Sequence, residues 1–148
     1  MKKTILITGL LLPTLSFGHT GKESTEPDTQ DTATQTEYHE VQSRAGIFKL
    51  ETQMNTEGIS YRFAPLSKTH TIEWDEVEKA YVREFKPLRE YGGWGIRYSF
   101  SRGKAYFMKG NKGIQLELKN GKKVLLGTQN PAEAGQLLQH LEENGFIK

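Results

Sequence analysis

GNKGIQLELKNGKKVLLGTQNP, residues 110–131, decides the fold. Ile114, Leu116 and Leu118 alternate with Gln115, Glu117 and Lys119, the period-2 pattern of a strand with one covered and one solvated face. Asn120-Gly121 follows at once and signals a hairpin, because a type I′ turn wants positive φ at both central residues. Residues 122–127 return as the partner strand. Asn130 then stands where a helix N-cap belongs, Pro131 suits the first helical position, and Glu133 sits three residues after the cap.

The helix so opened carries Ala134, Leu137, Leu138 and Leu141 as one apolar stripe, and Gly145 is a natural C′ residue. One stripe means one buried face. Upstream, short apolar runs separated by glycine-bearing turns predict further strands at about 46–54, 59–63, 77–86, 95–100 and 104–109. Ile59, Tyr61 and Phe63 share a face of one of them, and Ile96, Tyr98 and Phe100 of another. A connection carrying Ile72 and Trp74 joins the second strand to the third, and a glycine-rich stretch follows Pro87. The expected fold class is mainly β: a bent sheet or open barrel of about seven antiparallel strands, closed by one C-terminal α-helix that covers its open end.

That order of elements is similar to a pleckstrin-homology-like domain. More specifically, KLET (49–52), GISYRF (58–63), IEW (72–74), KAYVREFKPLREYGGWGIRY (79–98) and the stretch 110–131 resemble a family of uncharacterised bacterial proteins that carry such a module. The likeness covers most of residues 46–141, and EYGGWGIR, residues 90–97, is its most specific part. The resemblance implies a pleckstrin-homology-like fold, no assigned activity, and two transmembrane helices ahead of the module. Here a different N-terminus stands in that place, and a fold name by itself carries no phosphoinositide site.

Lys2 and Lys3 precede an apolar run at residues 5–17, and Ser16-Phe17-Gly18 places small residues at −3 and −1 of a cleavage after Gly18. Residues 1–18 therefore read as a signal peptide. The run is shorter than a bilayer-spanning helix and contains Pro13, which makes an uncleaved inner-membrane anchor the alternative. Residues 19–43 read as an acidic, disordered polar tether. Within residues 19–40, Lys22 faces six carboxylates, a net charge of −5. Residues 44–148 are the expected domain, basic where the tether is acidic. Cysteine is absent, which excludes disulfides, thiol chemistry and lipoprotein acylation.

Two features are candidates for ligand binding. Residues 83–123 hold 11 basic residues against three acidic ones. Within them the turn residues Lys104, Lys109, Asn111, Lys112, Lys122 and Lys123 would gather positive charge at the rim of the domain. The bland alternative is that lysines flank turns for solubility and edge protection. The second feature is Tyr91-Gly92-Gly93-Trp94-Gly95, flanked by Arg89 and Arg97. It is either an exposed aromatic platform or a tight bend whose Tyr91 and Trp94 pack into the core. The four histidines make no triad or metal spacing, and residues 110–113 are not a phosphate loop. No cofactor, metal or catalytic residue is implied. The expected function is a non-enzymatic binding or scaffolding module of the bacterial cell envelope, exported to the periplasm or secreted. Its expected partner is an envelope protein or an anionic surface, not nucleic acid. The alternatives are a module anchored in the membrane by an uncleaved N-terminus, or a hydrolase with an unrecognised site.

Overall fold

Alternation of covered and solvated side chains builds two β-sheets, which the computed structural model describes over residues 36–148. The signal peptide and the tether up to residue 35 lie outside the described residues. The first sheet joins β1 (Tyr38–Arg44), β2 (Phe48–Met54), β3 (Gly58–Ala64) and β4 (His70–Glu73) in sequence order, each pair antiparallel. A 3-10 turn at Trp74–Glu76 leads to β5 (Val77–Glu84), and a short helix, α1 (Pro87–Tyr91), precedes β6 (Gly95–Ser99) and β7 (Gly103–Phe107). With β8 (Lys112–Leu118) and β9 (Lys123–Gly127) these form a second sheet in the order β5-β8-β9-β7-β6. The chain ends with α2 (Pro131–Glu143).

Leu50, Ile59, Tyr61 and Phe63 of the first sheet, Tyr106, Ile114, Leu116 and Leu126 of the second, and Ala134, Leu137, Leu138 and Leu141 of α2 belong to one buried cluster. Each large aliphatic group covered this way contributes about 1.5–3 kcal/mol, which is why the helix stripe is held against the sheets. Past α2, Gly145 takes φ +76°, Gly145 N–H donates to Glu142 O, and Phe146 N–H donates to Leu141 O at 2.9 Å. This is the doubly bonded C-terminal cap expected of a glycine at C′. At the other end the Asn130 side chain makes no capping bond. Pro131 is at the start as expected, and the Asn130 carbonyl accepts from Ala134 N–H at 3.0 Å.

The architecture departs from the sequence expectation in four ways. The described residues hold nine strands rather than seven, and these form two sheets where the sequence predicts one bent sheet or open barrel. The additional strands are β4, only four residues long, and β1, whose first six residues fall in the segment that reads as tether. Composition misplaced β1 because its inward side chains are polar. Tyr38, Glu40 and Gln42 are buried and alternate with exposed residues, so the period is that of a strand without the usual apolar content. Most of their polar atoms find partners, although Gln42 Oε1 is buried without one among the described residues. Thr128 Oγ1 donates to Glu40 Oε2 at 2.8 Å, Gln129 N–H donates to Glu40 Oε1 at 2.8 Å, and Gln42 Nε2 donates to Gly127 O at 2.7 Å. The Tyr38 hydroxyl donates to the Glu40 carboxylate. A buried carboxylate is tolerated only with such satisfaction.

The third difference is that the second sheet is not wholly antiparallel. β8 is paired on both sides, by β5 and β9, so the free edge of β9 takes β7, which runs parallel to it. Gly103, at φ +78°, makes this approach possible, since a Cβ there would collide with the Lys123 carbonyl. Fourth, the Asn120-Gly121 hairpin is not type I′. Gly121 alone has positive φ, Gly121 N–H donates to Leu118 O, and Lys122 N–H donates to the Asn120 side chain. The loop is thus a longer one ending in a left-handed glycine.

Candidate binding cleft

Three of the predicted lysines converge, and they do so because β7 lies against β9. Lys104, the second residue of β7, is in register with Val124, next to Lys123, while Lys122 lies in the β8–β9 turn. Together they border a cleft of about 490 Å³ between the sheets, within the range of small-ligand pockets. Its floor is aromatic. Tyr61 of β3 stacks on His70 of β4 with ring centroids 5.3 Å apart, and meets Tyr106 of β7 at 4.9 Å. Tyr98 and Phe100, from β6 and the β6–β7 turn, form an exposed wall.

The cleft is positive because no carboxylate lines it. Lys104 and Lys122 form no ion pair among the described residues, and Lys123 reaches Glu117 only at 3.9 Å, at the outer limit of such contacts. Burial, and secondarily the neighbouring Tyr106 phenol, pushes the Tyr61 phenol far above its ordinary value, so it stays a neutral hydrogen-bonding group. Chemically the arrangement can hold a ring against Tyr61, His70 and Tyr98 while lysines meet negative charge. Among the described residues no group of three or more His, Asp or Glu side chains is placed to hold a metal ion.

The other sequence candidates are dispersed. Asn111 is structural: its side-chain amide donates to Glu84 Oε1 at 3.0 Å and its carbonyl accepts from Phe85 N–H. Lys112 is exposed at the start of β8, opposite Glu84. Lys109 borders a separate depression with Arg44 and Trp94. The two aromatics of the Tyr91–Gly95 stretch part company. Tyr91 is buried with Phe85, Ala105, Phe107 and Leu125 in a second small core, packed edge-on to Phe85 at 6.2 Å. Trp94 is exposed, in a groove with Ile96, Phe48, Phe63 and Leu66. The division follows from α1, which ends at Tyr91 with Gly92 at φ +74° and turns the chain outward before Trp94.

Helix α1 is anchored by Glu90. Its Oε2 accepts from Arg83 Nη1 at 2.9 Å and Arg102 Nη1 at 3.0 Å, and its Oε1 accepts from Lys86 N–H at 3.0 Å. Burial alone would raise the Glu90 pKa. The Lys86 N–H and the two guanidinium groups outweigh that effect and hold it below the usual carboxylate range. Arg102 is thereby engaged outside the cleft. Arg89 and Arg97 are exposed and form no ion pair among the described residues, although Arg97 Nε donates to Trp94 O at 2.9 Å.

Sequence reasoning did not place Tyr61, His70, Tyr98, Phe100 and Tyr106 in one site. The alternation of Tyr98 and Phe100 was legible, but their exposure was not. No helix among the described residues is long and apolar enough to cross a membrane. Compared with protein-family models, with curated proteins and with solved structures, the chain matches none.

Proposed function

We propose that this chain is a non-enzymatic binding module of the bacterial envelope that takes an anionic ligand in the cleft between its sheets. The observation that carries the reading is the convergence of Lys104, Lys122 and Lys123 on an aromatic floor, with no carboxylate lining the cleft. Charge of one sign against low-dielectric walls concentrates counter-charged ligands, and the open rings of Tyr98 and Phe100 supply contact area at small entropic cost. Two sheets followed by one C-terminal helix support placing the domain beside pleckstrin-homology-like modules, with the parallel β7–β9 contact a departure within that plan. Lys2, Lys3 and the apolar run at residues 5–17 support export, with anchoring by the same segment as the alternative.

The test is binding of dextran sulfate and of vesicles containing phosphatidylglycerol to the chain. Combined substitution Lys104→Gln, Lys122→Gln and Lys123→Gln should abolish it, whereas Lys109→Gln with Lys112→Gln should leave it nearly unchanged. Equal losses in the two variants would reduce the cleft to general surface charge. Fractionation with N-terminal mapping tests the compartment, and a mature chain beginning at Met1 would refute cleavage.

A further inference from the structure

The groove around Trp94 and the open edge of β6 carry an inference separate from the anionic cleft. Among the described residues β6 is the last strand of the second sheet and pairs only with β7, so its outer edge presents backbone groups that no described strand pairs. Beside it lies an apolar groove of about 310 Å³, where Trp94 and Ile96 approach Phe48, Phe63 and Leu66. Arg44 lines this groove, and a contiguous depression shares Arg44 and Trp94 and adds Lys109. No carboxylate lines either one. Arg97, exposed on the alternate face of β6, donates from Nε only to the Trp94 carbonyl, and Arg89 is exposed on α1 nearby in sequence.

We infer that β6 receives an extended acidic peptide, which adds to the second sheet as a further strand. Backbone pairing along β6 gives the affinity. Side chains of an added strand alternate between faces, so apolar residues enter the Trp94–Ile96 groove while the carboxylates between them meet Arg97. Charge decides against a second copy of this chain as the occupant. Antiparallel pairing of two β6 strands about their midpoint would set Arg97 opposite Arg97, and like charges directly opposed are destabilising.

The probe is a fluorescein-labelled peptide of alternating Glu and Val, titrated with the full chain and followed by anisotropy, with a Lys–Val peptide as its counterpart. The Glu–Val peptide should bind, the Lys–Val peptide should not, and the emission of Trp94 should change on binding. Ile96→Glu should weaken binding by about tenfold or more. Arg97→Glu should weaken the Glu–Val peptide and strengthen the Lys–Val peptide, a reversal that loss of fold cannot produce. The triple lysine substitution in the cleft should leave peptide binding intact, which separates this surface from the anionic site. Binding of both peptides alike, binding of neither, or indifference to Arg97→Glu would each overturn the inference. If Ile96→Glu fails to fold, Trp94→Ala and Arg97→Glu, both at exposed side chains, carry the decision.

Discussion

Gly58-Ile59-Ser60-Tyr61-Arg62-Phe63 and Gly95-Ile96-Arg97-Tyr98-Ser99-Phe100 have the same composition and the same apolar positions, yet meet opposite fates. In the first, Ile59, Tyr61 and Phe63 are 0%, 6% and 3% exposed; in the second, Ile96, Tyr98 and Phe100 are 38%, 67% and 98% exposed. Both form antiparallel strands, except that Phe100 has left β6 and stands in the β6–β7 turn. The difference is position: β3 lies between β2 and β4, whereas β6 is an edge strand whose corresponding face lines open clefts shared with the first sheet. This uncovered apolar pattern at a sheet edge is the feature on which the proposed binding surfaces rest.

The largest expected effect is on stability at matched positions. Phe63→Ala should cost about 3–5 kcal/mol in urea unfolding, while Phe100→Ala should change stability by less than about 0.5 kcal/mol. Similar costs at the two sites would mean that Phe100 is covered in solution. Within the Tyr91–Gly95 stretch the same contrast recurs at smaller scale. Tyr91→Ala, which empties a site between Phe85 and Phe107, should cost about 3 kcal/mol, and Trp94→Ala less than about 1 kcal/mol. Gly103→Ala should cost about 1–3 kcal/mol, because it combines a left-handed backbone with a collision at the Lys123 carbonyl. It should also separate Lys104 from Lys123, so dextran sulfate binding should fall with it.

The smallest effect concerns pH. Because the folded Glu90 pKa is depressed, its contribution is complete above the unfolded value of about 4.3 and is lost as pH falls through the lower folded value. Glu90→Gln should therefore be less stable than the parent chain at neutral pH. The gap should close in acid, as thermal melts across the range would record. A gap independent of pH would assign Glu90 a packing role alone.

Local patterns revealed much of this fold. Alternation and glycine placed the strands from β2 onward, apart from β4, and α2 carries its Pro131 start, its apolar stripe and its Gly145 stop where they were expected. β1 escaped because Tyr38, Glu40 and Gln42 are individually polar, and their burial depends on partners at Gly127, Thr128 and Gln129, far along the chain. The lysines of the cleft were legible as a cluster in sequence. Their sorting into Lys104, Lys122 and Lys123 on one side and Lys109 and Lys112 elsewhere was not, since it depends on β7 choosing the free edge of β9.

The contrast between residues 58–63 and 95–100 marks where local reading stops. Alternation says which side chains share a face, because the backbone places neighbours on opposite sides whatever surrounds them. Whether that face is core or surface depends on what lies across from it, and here that is decided by strand order. Tertiary structure alone separated buried Tyr61 from exposed Tyr98, buried Tyr91 from exposed Trp94, and brought Tyr61, His70 and Lys123 to one cleft.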